Sequence, residues 1–261
     1  MTMRSLPPRP GGDLPHRTTF VTHVSSRPVA PVMPPRTVID NAVYIDGRRI
    51  ATPTSTSETC RLLQEHPRSM GWIGLFQPEP SDLEAIGEEF GLHELALEDA
   101  IMAHQRSKIE RYDDTLFLVL RAVRYLDGPE EIELGELHVF MGPRYIITVR
   151  HGGSPDLSRV RRRLESDPDM LGQGPEGVLY AILDAVVDGY APVLAGLAND
   201  IDEIEDEVFS GNTEVSRRVY ELSQEVVEFQ RAVKPLRAIL AGLTAGSVKY
   251  QVGEELQEYL R

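Results

Sequence analysis

The sequence predicts an α/β protein: a layered domain of strands mixed with helices, then a long antiparallel helical hairpin, then the opening of one more helix. Three observations carry that expectation. From Thr37 to Gly172, short apolar runs at strand spacing alternate with segments that open on helix-capping residues. Leu179, Ile182, Val186, Tyr190, Val193, Leu197, Ile201, Ile204 and Val208 follow steps of 3-4-4-3-4-4-3-4, an eleven-residue period close to the pitch of a straight helix. After Ser210-Gly211-Asn212, the residues Val219, Leu222, Val226, Phe229, Val233, Leu236, Leu240 and Leu243 alternate steps of three and four, a heptad seam. The expected divisions are an arm at 1–36, the layered domain at 37–172, the hairpin at 173–246 and, at 247–261, a segment in which a third helix starts at Glu254.

Each element has a local reason. Residues 1–36 hold eight prolines, and five arginines against one aspartate. Such a stretch buries too little surface to offset the entropy of ordering, so disorder is expected. Val43-Tyr44-Ile45 and Arg48-Arg49-Ile50 flank Asp46-Gly47, a dipeptide suited to the positive φ angles of a two-residue hairpin turn. A helix is expected over Glu58–His66 and a strand over Gly71–Phe76. Ser81 and Glu84, just after Pro80, form a capping box for a helix reaching Phe90. Leu92–Ala103 is the next helix. Thr115–Tyr125, Glu136–Met141 and Tyr145–Val149 read as strands, and Leu116–Val123 is apolar on both alternating faces, hence central and covered twice. A helix at Pro155–Glu165 closes the domain. In the hairpin, Pro192 and Pro235 each remove one backbone bond and predict kinks rather than ends.

Composition excludes several functions. Acidic residues outnumber basic ones 41 to 27 in 261 residues, a net charge of −14. That balance argues against nucleic-acid binding, which needs lysine and arginine on phosphates, and favours cations as partners. The single cysteine, Cys60, rules out an internal disulfide framework and fits a reducing compartment. No uninterrupted apolar run approaches the ~18–20 residues of a spanning helix, and the chain as given reads as soluble and intracellular. HExxH, GxSxG and P-loop patterns are missing, so no enzyme is expected. Gly172-Gln-Gly-Pro-Glu-Gly177 has GxGxxG spacing but no strand before it. Pro175 fits better as the first residue of the long helix.

The acids are more informative. Asp200–Glu207 packs six carboxylates into eight residues. It reads as the solvated face of a helix whose Ile201 and Ile204 lie on the seam, with Arg217 and Arg218 as partial balance, the alternative being a low-affinity, delocalised attractor of cations. Asp184 and Asp188 stand one turn apart, away from the seam. They fit either an ion-pair cluster with Lys234 and Arg237, which the hairpin brings level, or a cation site. Glu98 and Asp99 are adjacent on a helix and point about 100° apart. Oxygen donors of this kind suit hard ions such as Mg²⁺.

The string Leu97-Glu-Asp-Ala-Ile-Met-Ala-His-Gln-Arg-Ser-Lys-Ile-Glu110, with Tyr112 and the strand behind it, resembles the CorA family of magnesium channels. Leu179-Tyr-Ala-Ile-Leu-Asp184-Ala-Val-Val-Asp188-Gly-Tyr190, the acidic Asp200–Glu207 stretch and Lys234-Pro-Leu-Arg237 extend the resemblance in order. It implies an α/β/α sandwich with a mixed sheet, a helical hairpin and the start of a stalk helix. The assembly it implies is a homopentamer on the cytoplasmic face of the cell membrane. It further implies that Mg²⁺, or Co²⁺, binds between neighbouring domains and favours the closed pore. Asp99 would face the next subunit's stalk, Glu98 and Asp184 would form an adjacent site, and Asp188 would follow on the same helix face. The family's Gly-Met-Asn pore signature and spanning helices do not occur in the given sequence, and the stalk aspartate opposite Asp99 is expected beyond Arg261. Two alternatives stay open: a zinc-transporting member of the same superfamily, whose ion carboxylates suit less well, and a free-standing soluble helical scaffold.

Overall fold

The structure is a computed structural model. It describes residues 38–260 apart from 154, 211–214 and 247–249, with backbone alone at 209 and 210. The predicted arm at 1–36 and the turn at 211–212 lie outside the described residues. A seven-stranded mixed sheet forms the centre, built from β1 (Val38–Ile45), β2 (Arg48–Ala51), β3 (Ser69–Phe76), β4 (Lys108–Tyr112), β5 (Thr115–Leu126), β6 (Glu131–Met141) and β7 (Tyr145–His151). Their order is β2-β1-β3-β7-β6-β5-β4, and among the described strands only β3 and β7 pair in parallel. Asp46 and Gly47 both take positive φ, 49° and 73°, as the two-residue β1–β2 turn requires.

Helices cover both faces. On one side lie α1 (Thr56–Glu65), α2 (Pro80–Phe90) and α3 (Glu94–Met102). They pack Leu83, Ile86, Ala96 and Ala100 on Ile73, Phe117, Val119 and Phe140. The other side carries α4 (Leu157–Glu165), α5 (Pro168–Gly172), α6 (Pro175–Asp188), α7 (Tyr190–Ser210), α8 (Val215–Thr244) and α9 (Glu254–Tyr259). There Val178, Leu179, Ile182 and Val186 of α6 meet Leu116, Leu118 and Leu120 of β5. Strand β5 therefore alternates between two dry layers, as its doubly apolar pattern predicts. The α2 cap differs in position from the expected box. Pro80 is the first helical residue, and Asp82 accepts the Glu79 N–H at 3.1 Å, so the cap starts two residues earlier than Ser81.

The hairpin is antiparallel: Tyr190 meets Phe229 edge-on at 5.7 Å, whereas Glu207, seventeen residues on, pairs with Arg218. The first helical path breaks its bonding ladder at Gly189 but keeps right-handed dihedrals there (φ −63°, ψ −18°). Pro192 has no N–H for the Asp188 carbonyl, which accounts for the interruption. Pro235 sits inside α8, which runs on unbroken. By length and composition Pro175–Val208 would pass as a membrane span, which a search for unbroken apolar runs overlooks. Of its most apolar stretch 44% is buried within the protein, the inward face of α6 lying on the sheet.

The seam of α7 also departs from its expected register. Ile201 is 46% exposed and Asp200 only 6%. Asp200 Oδ1 accepts the Tyr125 hydroxyl at 2.8 Å, and Tyr125's ring lies over Gly196, one turn earlier. A tyrosine at the end of β5 thus turns a polar residue inward and leaves the isoleucine outside. Burial and the Asp200 carboxylate both push the Tyr125 hydroxyl pKa up.

Candidate functional site

Glu98 and Asp99 ride on α3, whose N-terminus is capped by His93: its Nδ1 accepts the Leu95 N–H at 3.2 Å. Glu98 is exposed and Asp99 half-buried. On the neighbouring edge strand, Lys108 Nζ donates to Asp99 Oδ2 at 2.6 Å and lies 3.1 Å from Glu110 Oε2. Tyr112 donates its hydroxyl to Glu110 at 2.9 Å. Burial works against the Lys108 charge, but the two carboxylate hydrogen bonds outweigh it and raise its pKa.

A buried polar network holds the end of α3. Glu136 and His138 alternate on the β6 face beneath it. Glu136 accepts from Arg121 Nη1 at 2.6 Å and from the Gln105 N–H at 3.1 and 3.2 Å, and lies 2.7 Å from His138 Nε2. His151 Nε2 lies 3.0 Å from the Ala100 carbonyl. The intervening turn places Ala103 and His104 at positive φ, 51° and 61°, a conformation that needs such anchoring in residues other than glycine. Burial pushes the Glu136 pKa up, but hydrogen bonds from His138 and Gln105, with the Arg121 charge, bring it below the ordinary range. Burial and the neighbouring His138 push His151 down.

Asp184 and Asp188 lie on α6. Asp184 Oδ2 pairs with Arg163 of α4 at 2.7 Å, and neither Lys234 nor Arg237 is its partner. The expected cluster with those two residues is replaced because Asp184 faces α4, not α8. Asp188 is exposed and, among the described residues, has no ion-pair partner; the same holds for Glu98.

The two acid pairs stand on opposite faces of the sheet, so one chain does not bring them together. Among the described residues no group of three or more histidines, cysteines or carboxylates is close enough to hold a metal ion. The donor chemistry still suits Mg²⁺, which takes few protein oxygens and keeps most of its water. Lys108, Arg163 and the Glu136–His138 pair were not assigned roles from sequence. The last had a signal, since two polar residues at alternate positions of an apolar strand mark a buried network.

A model of the CorA-like Mg²⁺ transporter protein matches residues 68–261. The cobalt/magnesium transport protein CorA of Thermotoga maritima is 28% identical over 175 residues, 66% of this chain and 50% of that one. The zinc transport protein ZntB of Yersinia pseudotuberculosis is 22% identical over 213 residues, covering 79% of this chain and 62% of that one. The soluble domain of CorA from Methanocaldococcus jannaschii shares the fold, with a TM-score of 0.68, 18% identity and 86% coverage of both chains. The chain spans about half the length of the curated relatives it matches. The family match covers more than half of the chain. This chain belongs to the CorA-like Mg²⁺ transporter family.

Proposed function

We propose that this chain is the cytoplasmic, cation-sensing part of a CorA-type Mg²⁺ and Co²⁺ transport channel and has no catalytic role of its own. Hydrated Mg²⁺ bridges Glu98 of one copy and Asp184 of the next, with Asp188 following on the same helix face and Asp99 facing the next copy's stalk, and this bridging favours the closed pore. The observation that carries the reading is the separation of the two acid pairs by the sheet. A bridge between unlike faces is a head-to-tail contact, which closes into a ring when the rotation permits, here a homopentamer. Arg163 and Lys108 offset Asp184 and Asp99, but Glu98 and Asp188 have no ion-pair partner among the described residues, and the uncompensated charge they bring to such a junction links ion binding to assembly.

The test is a Mg²⁺ titration of the wild-type protein against Glu98→Ala combined with Asp184→Ala, read by thermal melting and sedimentation. Wild type should gain Tm and mass with Mg²⁺ and the double variant should not. A wild-type protein indifferent to Mg²⁺ in both measurements would overturn the reading. The likeness to a zinc transport protein supports a second reading, in which the sensed or carried ion is Zn²⁺. The all-carboxylate donor set favours Mg²⁺.

A further inference from the structure

Neither acid pair lines a small cavity of about 60 Å³ between the β3–β7 junction and α4. Asp40, Trp72, Gly74, Thr148, Arg150 and Arg161 line it. Asp40, Gly74 and Thr148 stand in register across β1, β3 and β7, so the cavity floor is a row of three residues, the middle one without a side chain. A Cβ built on Gly74 would stand 3.6 Å from the Asp40 carbonyl oxygen and 3.8 Å from both Arg161 Nη2 and Thr148 Oγ1. The glycine therefore keeps open a space flanked by a guanidinium and a hydroxyl.

Two buried nitrogens on lining residues have nothing to donate to, although Arg161 is paired and Arg150 Nη1 donates to the Pro155 carbonyl at 2.9 Å. Arg161, 5% exposed, stacks on Trp72 at 4.0 Å and reaches Asp40, Tyr44 and the Trp72 carbonyl. Trp72 is 1% exposed, and its Nε1 has no partner. Arg150 Nε is likewise buried without a partner. Burial lowers the pKa of both arginines, as it does for cations whose charge is incompletely compensated. A buried donor left unpaired costs about 1–3 kcal/mol, so two of them beside one cavity call for an acceptor. The cavity has room for one compact group or a few waters.

The lining also contains acceptors. Thr148 spends its proton on the Ile73 carbonyl at 3.2 Å, leaving its oxygen to accept, and Asp40 offers a carboxylate that also accepts from Arg161 at 3.1 Å and from Arg49 at 3.4 Å. A ligand that accepts on one side and donates on the other satisfies both sets. We infer that this cavity binds a protonated oxyanion, hydrogen phosphate, with Arg150, Arg161 and Trp72 Nε1 donating and Asp40 accepting its single proton. Sulfate has the same shape and no proton at neutral pH, so it would set an unprotonated oxygen against Asp40.

Trp72 is the chain's single tryptophan and reports on the cavity directly. Inorganic phosphate should change its fluorescence saturably at pH 7 and constant ionic strength, whereas sulfate and chloride should not. Gly74→Ala makes only ordinary contacts and should fold, yet its methyl fills the cavity floor. It and Arg150→Gln should each weaken phosphate binding by about tenfold or more. An absent phosphate response, an equal sulfate response, or a response retained in Gly74→Ala would overturn the assignment.

Discussion

Lys108 Nζ stands 2.6 Å from Asp99 Oδ2, so the acid proposed to bind a metal ion already holds a cation supplied by its own chain. An arriving Mg²⁺ has to displace that ammonium or share the carboxylate with it. Lys108→Met should therefore lower the Mg²⁺ concentration for half-maximal stabilisation, by roughly three- to tenfold. Thermal melting across a Mg²⁺ series measures it. A higher midpoint would mean that Lys108 holds Asp99 in its binding posture.

Asp184 and Arg163 form a partly exposed pair, with side chains 31% and 52% accessible. Such pairs contribute at most about 1 kcal/mol. Asp184→Asn should leave urea unfolding nearly unchanged without metal and should reduce the Mg²⁺-induced gain in Tm. A large loss of metal-free stability would mark the residue as structural.

Glu136 is the hub beneath α3. Glu136→Gln keeps its shape but deprives Arg121 and His138 of their charged partner, at a cost of about 2–4 kcal/mol. Arg121 retains some water, which keeps the loss below that of a fully stranded charge. Because the folded pKa of Glu136 is depressed, its contribution is present above about pH 4.3 and disappears as pH falls through the folded value. Urea titrations at pH 7 and pH 3.5 should thus show the variant's deficit shrinking in acid.

His151 acts at milder pH. Its folded pKa is depressed, so the unfolded chain takes up the proton first and stability falls as pH drops below about 6.5. The groups around it are His138, Glu136, His104 and the Ala100 carbonyl. His151→Gln should flatten the stability profile between about pH 6.5 and pH 5, which melting in that window would reveal.

Gly196 is a packing requirement. A Cβ there would lie 2.6 Å from three atoms of the Tyr125 ring. Gly196→Ala should cost about 1–3 kcal/mol by forcing the ring away. Combining it with Tyr125→Leu should recover part of that loss, because the two residues share one contact.

The sheet's apolar strands, the Asp46-Gly47 turn and the long helices were legible because each rests on local pattern. Edge strand β4 was not, since Lys108–Tyr112 is half-buried and carries three charged residues, leaving no alternation to detect. The inward turn of Asp200 was equally hidden, being imposed by Tyr125 from seventy-five residues away. Glu98, Asp99, Asp184 and Asp188 were readable as carboxylates on helix faces. The basic partners of Asp99 and Asp184 were not, because Arg163 reaches Asp184 through the stacking of α4 on α6, a tertiary fact without a sequence period.

The sheet's position between the two acid pairs has a genetic counterpart. Under the proposed bridge, a chain lacking only the α3 acids and a chain lacking only the α6 acids would each form no intact junction with itself. Co-assembled, they would offer a complete donor set wherever the intact α3 of one meets the intact α6 of the other. Complementation between two individually silent alleles would then report which helices meet, without any need to see the ion.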